Sequence, residues 1–189
     1  MNYIGSKYTL LPFIEEQFRQ IRDGDEKIVC DIFAGTGAVG RLFKKLGLRV
    51  LANDLQYYAY ALNKAYIEIN ELPRFTQLRQ KYKAEFAKLG DEVDDPAERT
   101  LAFVNSLSGA RGFIAKHYGP AGGRFYYSEK NAEKADAIRQ AIEDWFTEGT
   151  IREDEYFYLL CSLLEAIDQV ANTASVYGAF LKKFKQSAL

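Results

Sequence analysis

Cysteine, histidine and proline are scarce in this sequence. Its 189 residues include two cysteines, one histidine and four prolines. Two cysteines cannot build the disulfide framework of a small secreted domain, and a single histidine argues against a zinc site, so we expect no bound metal. No apolar run approaches the ~20 residues of a membrane-spanning helix, and the first residues lack the basic segment and apolar core of a signal peptide. These absences predict a cytoplasmic protein without membrane contact.

Neither sign of charge dominates the composition. Lys and Arg total 25 while Asp and Glu total 26, which gives a formal net charge of −1. A neutral chain is not drawn to nucleic acid by its overall charge, so such binding would depend on local clusters. Basic residues concentrate over 74–88 and 111–130, and acidic residues over 91–95 and 153–155. Apolar residues make up 48% of the sequence, which excludes intrinsic disorder.

The amino-terminal part has the pattern of an α/β fold. Apolar residues at helical spacing predict an amphipathic helix over about 7–22. Two short β-branched runs, 28–33 and 48–52, predict buried strands, and Cys30 is expected to be buried in the first of them. A helix is predicted between the two strands, over 38–46. Strand, helix and strand in this order give parallel strands with a right-handed crossover. We therefore predict the start of a doubly wound α/β parallel sheet.

The remainder of the chain is mainly helical in pattern. Asp95 followed by Pro96 predicts a capped helix start, and apolar stripes predict helices over about 131–146 and 156–170. Residues 108–127 hold five of the fourteen glycines, which predicts a long loop. These patterns divide the chain into an α/β part, a mainly helical part and a basic tail, over residues 1–70, 71–180 and 181–189.

Only two strands are visible in the sequence, although a parallel sheet normally has more. One explanation is that further strands are hidden after residue 100. The other is that this chain is part of a larger fold.

A glycine-rich turn follows the first predicted strand. Gly35, Gly37 and Gly40 match the dinucleotide-binding fingerprint, and Asp54 follows Gly35 by 19 residues, at the end of the second strand. The glycines allow a ligand to approach the backbone, and the carboxylate can accept hydrogen bonds from ribose hydroxyls. The pattern predicts that the chain binds an adenosine derivative, with NAD as one option and a plain tight turn as the alternative interpretation.

The residues beside the turn favour one adenosine derivative. Asp31 precedes the first glycine by four residues, and its carboxylate would repel a pyrophosphate but attract an ammonium group. Lys7 can pair with a carboxylate. A ligand that combines adenosine with an amino acid is S-adenosylmethionine, which is therefore the cofactor we expect.

Three segments, over residues 2–12, 31–37 and 172–182, together resemble segments of the Dam-type adenine-specific DNA methyltransferases. Residues 2–12 are similar to the opening segment of that family, with Tyr3 where tryptophan is common. Residues 31–37 resemble its motif of an acid, a phenylalanine and two glycines, and residues 172–182 resemble the stretch before its catalytic motif. The resemblance implies a partial Rossmann-like fold of the class I methyltransferases and methylation of the exocyclic amine of a flipped adenine, within a restriction-modification system.

The resemblance and the turn together give a set of candidate site residues. Those predicted for the cofactor pocket come from the opening segment, from the first strand with its glycine turn, and from the end of the second strand. They are Tyr3, Lys7, Asp31, Phe33, Ala34, Gly35, Gly37, Asp54 and Leu55. The glycine-rich region 108–127 is the predicted contact to double-stranded DNA because basic and aromatic residues alternate in it. Its candidate DNA-binding residues are Arg111, Lys116 and Arg124.

Other polar and aromatic residues have more ordinary interpretations. His117 is expected to be a loop residue, and Trp145 and Tyr156 are expected to lie in the core. The basic residues of 74–88 fit either a solvated helix face or a contact to phosphates.

The family's catalytic motif, Asp/Asn/Ser-Pro-Pro-Tyr/Phe, is absent from the sequence. None of the four prolines, Pro12, Pro73, Pro96 and Pro120, is adjacent to another. We therefore predict no catalytic residue here, and we expect a second polypeptide or a missing carboxyl-terminal part to supply the motif. On this interpretation residues 1–70 bind S-adenosylmethionine, residues 71–180 recognise DNA, and the basic tail leads to the catalytic part. The alternative is a non-catalytic, methyltransferase-like DNA-binding or regulatory subunit.

Overall fold

The computed structural model describes residues 6–90, 94–174 and 178–189. These residues form two compact units, with the boundary between Glu71 and Leu72. Tyr3, which the sequence places in the cofactor pocket, lies outside the described residues.

The first unit is a small α/β structure. It begins with a 3-10 turn over Tyr8–Leu10 and continues through α1 (Leu11–Ile21), β1 (Ile28–Asp31), α2 (Ala38–Lys45), β2 (Arg49–Ala52), α3 (Tyr57–Asn63) and a π-helical turn over Lys64–Glu68. Pro12 lies in the first turn of α1, where a backbone N–H has no partner within the helix. The predicted order of helix, strand, helix and strand is confirmed.

The two strands form a parallel pair. Ile28 lies opposite Arg49 and Asp31 lies opposite Ala52. Across the described ranges no further strand joins this sheet, and an isolated antiparallel bridge links Thr173 to Phe180. The predicted parallel pair is therefore confirmed, whereas the doubly wound sheet is present only as this first pair.

The sheet is covered on one face. Val50 faces α2, because a Cβ built on Gly40 would lie 3.3 Å from its Cγ1 atom. Ile28 of β1 and Leu51 of β2 point to the opposite face of the sheet and are 52% and 47% exposed. Cys30 is also exposed, so the prediction that it is buried in the sheet is wrong. The reason is that, in the described part of the first unit, no helix packs on this face of the two-stranded sheet.

The second unit is helical. Its helices are α4 (Thr76–Lys81), α5 (Lys83–Ala87), α6 (Pro96–Ser106), α7 (Phe113–Tyr118), α8 (Glu129–Thr147) and α9 (Glu153–Val170). The side chain of Asp95 accepts the N–H groups of Ala97 and Glu98, both at 2.9 Å, so the predicted cap of α6 is confirmed. None of the helices in the described ranges is long and apolar enough to cross a membrane.

The region 108–127 is not the long loop that its glycines predict. It contains α7 and a 3-10 turn over Pro120–Gly122, and His117 lies on α7 rather than in a loop. The prediction failed because Gly112 and Gly119 flank α7 and do not interrupt it.

The core of the second unit lies between its long helices. Helices α8 and α9 pack against each other, and Trp145 and Tyr156 are 4% and 5% exposed, which confirms their predicted place in the core. Glu155 is also buried, and its carboxylate accepts the N–H groups of Phe75 at 2.7 Å and Arg152 at 2.9 Å. These bonds satisfy a carboxylate that would otherwise be costly to bury.

A buried asparagine connects separate segments of this unit. The side chain of Asn172 donates to the carbonyl oxygens of Phe125 and Leu181, both at 2.9 Å, and accepts the N–H of Lys185 at 3.0 Å. Asn172 is fully buried, so these contacts replace the water that its amide loses.

Candidate functional site

The candidate site is built on the turn between β1 and α2. Gly35 and Gly37 have φ values of 52° and 75°, in the left-handed region that favours glycine. The N–H of Gly37 donates to the carbonyl oxygen of Ala34 at 2.9 Å, which closes the turn. Ala34 is buried, whereas Phe33 is 74% exposed. The turn is therefore largely buried and presents the aromatic ring of Phe33 at the end of a strand.

Asp54 binds this turn from the end of β2. Its Oδ2 atom accepts the N–H of Gly35 at 2.8 Å, and its Oδ1 atom accepts the N–H of Gln56 at 3.0 Å. Hydrogen bonds from Gln56 and Gly35, together with the positive charge of Lys7, lower the pKa of Asp54 below its ordinary value of 3.8. The carboxylate is therefore ionised at neutral pH.

Lys7 reaches the same turn from the segment before α1. Its Nζ atom donates to the carbonyl oxygen of Phe33 at 2.9 Å. The structure thus brings together Lys7, Phe33, Gly35 and Asp54, which come from three separate segments of the sequence. A positive and a negative side chain therefore bind the backbone of one turn.

Asp31 has an unused acceptor beside the turn. Its Oδ1 atom accepts the N–H of Phe33 at 3.3 Å. Its Oδ2 atom is buried and has no hydrogen-bond partner among the described residues. A buried carboxylate oxygen without a partner is costly, so this atom could hold a donor such as an ammonium group.

Apolar side chains stand exposed around these polar groups. Leu55 directly follows Asp54 and is fully exposed, and Ile32 is 57% exposed beside Phe33. Large apolar side chains at such exposure form a surface on which a flat ring could lie.

The sequence interpretation missed Asn63, which contacts the turn from α3. Its Nδ2 atom donates to the carbonyl oxygens of Gly35 at 3.0 Å and Ala59 at 2.8 Å. Asn63 is 9% exposed, and its Oδ1 atom has no partner within the described part of the chain. The available signal was an amide at the end of an apolar helical segment, where a buried polar group needs partners.

Gly37 and Gly40 lie where an added methyl group would meet a neighbouring side chain. A Cβ on Gly37 would lie 2.9 Å from Oδ1 of Asn63, and a Cβ on Gly40 would lie 2.8 Å from Cδ1 of Ile67. Gly40 thus lets α2 pack closely on its neighbours, while Gly35 and Gly37 shape the turn.

The three candidate DNA-binding residues lie in the second unit and differ in their surroundings. Arg111 is engaged by two carboxylates, since its Nε atom donates to Glu133 at 2.8 Å and its Nη2 atom donates to Glu129. Lys116 is exposed on α7. Arg124 is exposed as well, and its Nη1 atom donates to the carbonyl oxygen of His117 at 3.1 Å. Lys116 and Arg124 are therefore more available to an anion than Arg111.

Two further features bear on what the chain can bind. In the basic region 74–88, Lys81 is paired with Glu148 at 2.5 Å. Across the described ranges, no group of three or more His, Cys, Asp or Glu side chains is arranged to hold a metal ion.

Comparison with known proteins identifies a matching family. A family model described as D12 class N6 adenine-specific DNA methyltransferase matches residues 3–189. The chain is 41% identical over 194 residues to the type II methyltransferase M.NlaIII of Neisseria lactamica, an alignment that covers 100% of this chain and 52% of that protein.

Two further relatives match over the whole chain. The modification methylase StsI of Streptococcus sanguinis is 38% identical over 192 residues, which cover 100% of this chain and 27% of that protein. The type II methyltransferase M.CviAII of Paramecium bursaria Chlorella virus 1 is 31% identical over 189 residues, which cover 100% of this chain and 52% of that protein. The chain therefore spans about half the length of M.NlaIII and M.CviAII and about a quarter of StsI. No solved structure matches it significantly.

Proposed function

Because the chain belongs to the D12 class of N6 adenine-specific DNA methyltransferases, we propose that its first unit binds S-adenosylmethionine and its second unit binds double-stranded DNA. When bound, S-adenosylmethionine supplies the methyl group that is transferred to the exocyclic amine of a flipped adenine. The proposal places this reaction in a restriction-modification system, as for the modification methylases that the chain resembles. The sequence predicted a Dam-type adenine-specific DNA methyltransferase, and the D12 class is the more specific description of that family.

One observation carries the cofactor assignment. Lys7, Asp31 and Asp54 all make hydrogen bonds to the backbone of the same glycine turn. Carboxylates near a turn that also carries a lysine suit a ligand with both an ammonium and a carboxylate group, and they do not suit a pyrophosphate.

The described residues fit the chemical groups of S-adenosylmethionine. The free Oδ2 atom of Asp31 would accept the ammonium group, and Lys7 would pair with the carboxylate. Each oxygen of Asp54 binds one backbone N–H and keeps a lone pair for a ribose hydroxyl. Phe33 and Leu55 would cover the adenine ring, because both are exposed beside the turn.

The remaining pocket residues are assigned either a backbone role or, for Tyr3, a place in the pocket through the family resemblance. Ala34 is buried, so it would contribute its peptide group, and Gly35 and Gly37 would allow the ligand to approach. Tyr3 is assigned to the pocket by its place in the opening segment alone.

We assign phosphate contacts to Lys116 and Arg124. Both are exposed, and contacts from such cations to phosphates position a protein on DNA without reading the base sequence. Arg111 belongs to the same proposed surface, but it would have to exchange Glu129 and Glu133 for a phosphate.

We assign no catalytic residue to these 189 residues, because the sequence contains no Pro-Pro-aromatic motif. The proposal is that this motif comes from a further carboxyl-terminal part or from a second polypeptide. The chain would then contribute alignment of the cofactor with the adenine, which can lower a reaction barrier by several kcal/mol.

Calorimetric titration tests the cofactor assignment. We expect the purified chain to bind S-adenosylhomocysteine, the product form of the cofactor, and not NADH. Binding of NADH without S-adenosylhomocysteine would show that the glycine turn holds a dinucleotide.

A methyl-transfer assay on duplex DNA tests the proposed division of labour. We expect no transfer by the chain alone and transfer after addition of the polypeptide that carries the Pro-Pro-aromatic motif. Transfer by the chain alone would contradict the assignment.

The absent catalytic motif also favours a second candidate function, a non-catalytic DNA-binding or regulatory subunit. This alternative predicts binding of S-adenosylhomocysteine and DNA without methyl transfer in any combination. The same assay therefore distinguishes the two functions.

A further inference from the structure

One carboxylate of α8 holds the start of α7. The side chain of Asp136 accepts three backbone N–H groups, from Gly112 at 3.0 Å, Ile114 at 2.8 Å and Ala115 at 2.7 Å. The first N–H groups of a helix have no partner within the helix, so they need acceptors from elsewhere. Asp136 supplies these acceptors from 21 to 24 residues further along the chain.

Helix α7 depends on such outside contacts. It has six residues, and helices shorter than about 12 residues are marginal in water without tertiary packing. Its own N-cap residue, Gly112, offers no side-chain acceptor. Ala115 is 5% exposed and belongs to a buried cluster with Tyr127 and Ala132, which gives α7 a packed face. Asp136 and this cluster together determine where α7 lies on α8.

Both of the more available candidate phosphate contacts depend on α7. Lys116 is an exposed residue of the helix itself. Arg124 is held through its hydrogen bond to the carbonyl oxygen of His117, in the last turn of α7. A change in the position of α7 would therefore displace both cations.

We propose that Asp136 is a positioning residue for DNA binding, which orients Lys116 and Arg124 by fixing α7. Asp136 does not contact the phosphates. This inference rests on the proposed DNA-binding role of the second unit. It also makes an unusual prediction, because loss of an acidic residue from a DNA-binding surface ordinarily strengthens binding.

The test compares Asp136→Asn with Asp144→Asn by titration of a labelled DNA duplex over a range of salt concentrations. Asp144 is a matched control, since it is exposed on the same helix and its carboxylate accepts a hydrogen bond from Gln140 at 2.8 Å. Both substitutions remove one negative charge. We expect Asp144→Asn to bind DNA as tightly as the wild type or slightly more tightly, and Asp136→Asn to bind about tenfold more weakly.

The salt dependence separates positioning from a general loss of structure. Each phosphate contact contributes about 0.9 to the slope of log K against log salt. We expect Asp136→Asn to lower the magnitude of that slope by the equivalent of about one to two phosphate contacts. Affinity for S-adenosylhomocysteine, which binds the first unit in our proposal, should not change.

A second variant disturbs the contact between Asp136 and the start of α7 without changing any charge. A Cβ on Gly112 would lie 2.8 Å from Cγ of Asp136, so Gly112→Ala should displace the start of α7. We expect weaker DNA binding for this variant too, and faster hydrogen exchange at the amides of Ile114 and Ala115 in both variants. If Asp136→Asn does not fold, Gly112→Ala decides the question.

Two results would overturn the inference in distinguishable ways. If the wild type binds DNA and the variants bind it as tightly as Asp144→Asn does, Asp136 has no positioning role. If the wild-type chain has no measurable affinity for DNA, both this inference and the proposed DNA-binding role fail.

Discussion

Asn63 donates its side-chain amide to the carbonyl oxygen of Gly35 at 3.0 Å. The N–H of the same glycine donates to Asp54 at 2.8 Å. Gly35 is therefore bound on both sides by side chains from other elements, at a left-handed φ of 52°. A turn held in this way is already ordered before a ligand arrives, which reduces the entropy lost on binding.

We predict that Asn63→Leu weakens binding of S-adenosylhomocysteine about tenfold, because loss of a buried hydrogen-bond partner costs about 1–3 kcal/mol. Calorimetry well below the unfolding temperature measures the affinity. Asn70→Leu is the control, since Asn70 is exposed and its amide donates to Glu68, outside the turn. Equal affinities in the two variants would show that Asn63 does not order the turn for binding.

Asp54→Ala should weaken binding of S-adenosylhomocysteine by about tenfold or more, because both the acceptors for ribose and the partner of the Gly35 N–H are lost. The fold should survive, as circular dichroism can verify. Asp25→Ala removes an exposed carboxylate from the same unit and should leave the affinity unchanged. An unchanged affinity in Asp54→Ala would remove Asp54 from the pocket.

The lowered pKa of Asp54 predicts a loss of stability in acid. Its folded-state pKa lies below the ordinary value of 3.8, so its ionised form stabilises the folded state above that value. This contribution is lost as the pH falls through the folded pKa. Urea unfolding at pH 7 and at about pH 3 should therefore show a difference between wild type and Asp54→Asn that shrinks in acid. A difference independent of pH would mean that the charge of Asp54 does not stabilise the fold.

Gly37→Ala should destabilise the chain more than Gly47→Ala. Both glycines have left-handed φ values, 75° and 82°, so each substitution carries about 1–2 kcal/mol of backbone strain. A Cβ on Gly47 meets no atom within 4 Å, whereas one on Gly37 would lie 2.9 Å from Asn63. Urea unfolding should show this additional cost, and Asn63→Ala should remove it in the double variant. Equal costs for the two single variants would argue against the close contact.

The open face of the sheet should bind the dye ANS. Ile28 and Leu51 are about half exposed on it, and exposed apolar area costs ~25 cal/mol per Å². We expect dye fluorescence that decreases in the variant Ile28→Ser/Leu51→Ser, and self-association of the wild type at high concentration. A wild type that remains monomeric at high concentration and does not bind the dye would show that this face is covered in solution.

Local patterns in the sequence predicted the order of elements well. Helical spacing, β-branched runs and the Asp95-Pro96 cap each depend on neighbouring residues, and the corresponding elements are present. The predicted burial of Cys30 was wrong because it depends on how many layers cover the sheet. The glycines of 108–127 were misinterpreted because glycine flanks a short helix as readily as it forms a loop.

The candidate site was predictable only in part, for a related reason. Gly35 and Asp54 were predicted because their spacing matches the dinucleotide-binding fingerprint. Asn63 and Asp136 act on residues 21 to 28 positions away, through contacts that exist only after the helices have packed. No local periodicity distinguishes these side chains from ordinary polar residues of a helix.

The buried amide of Asn172 limits where this chain can be shortened. Its partners include Leu181 and Lys185, and the carbonyl oxygen of the buried Ala188 accepts a hydrogen bond from Asn131 at 3.1 Å. A protein engineer who removed the final nine residues would leave the Asn131 amide without this acceptor and the Asn172 oxygen without its donor, while the Asn172 amide would keep only the carbonyl oxygen of Phe125. Each group left without a partner costs about 1–3 kcal/mol if it stays buried. Residues 181–188 are therefore no flexible linker, and a fusion partner that leaves this unit intact has to be joined after Ala188.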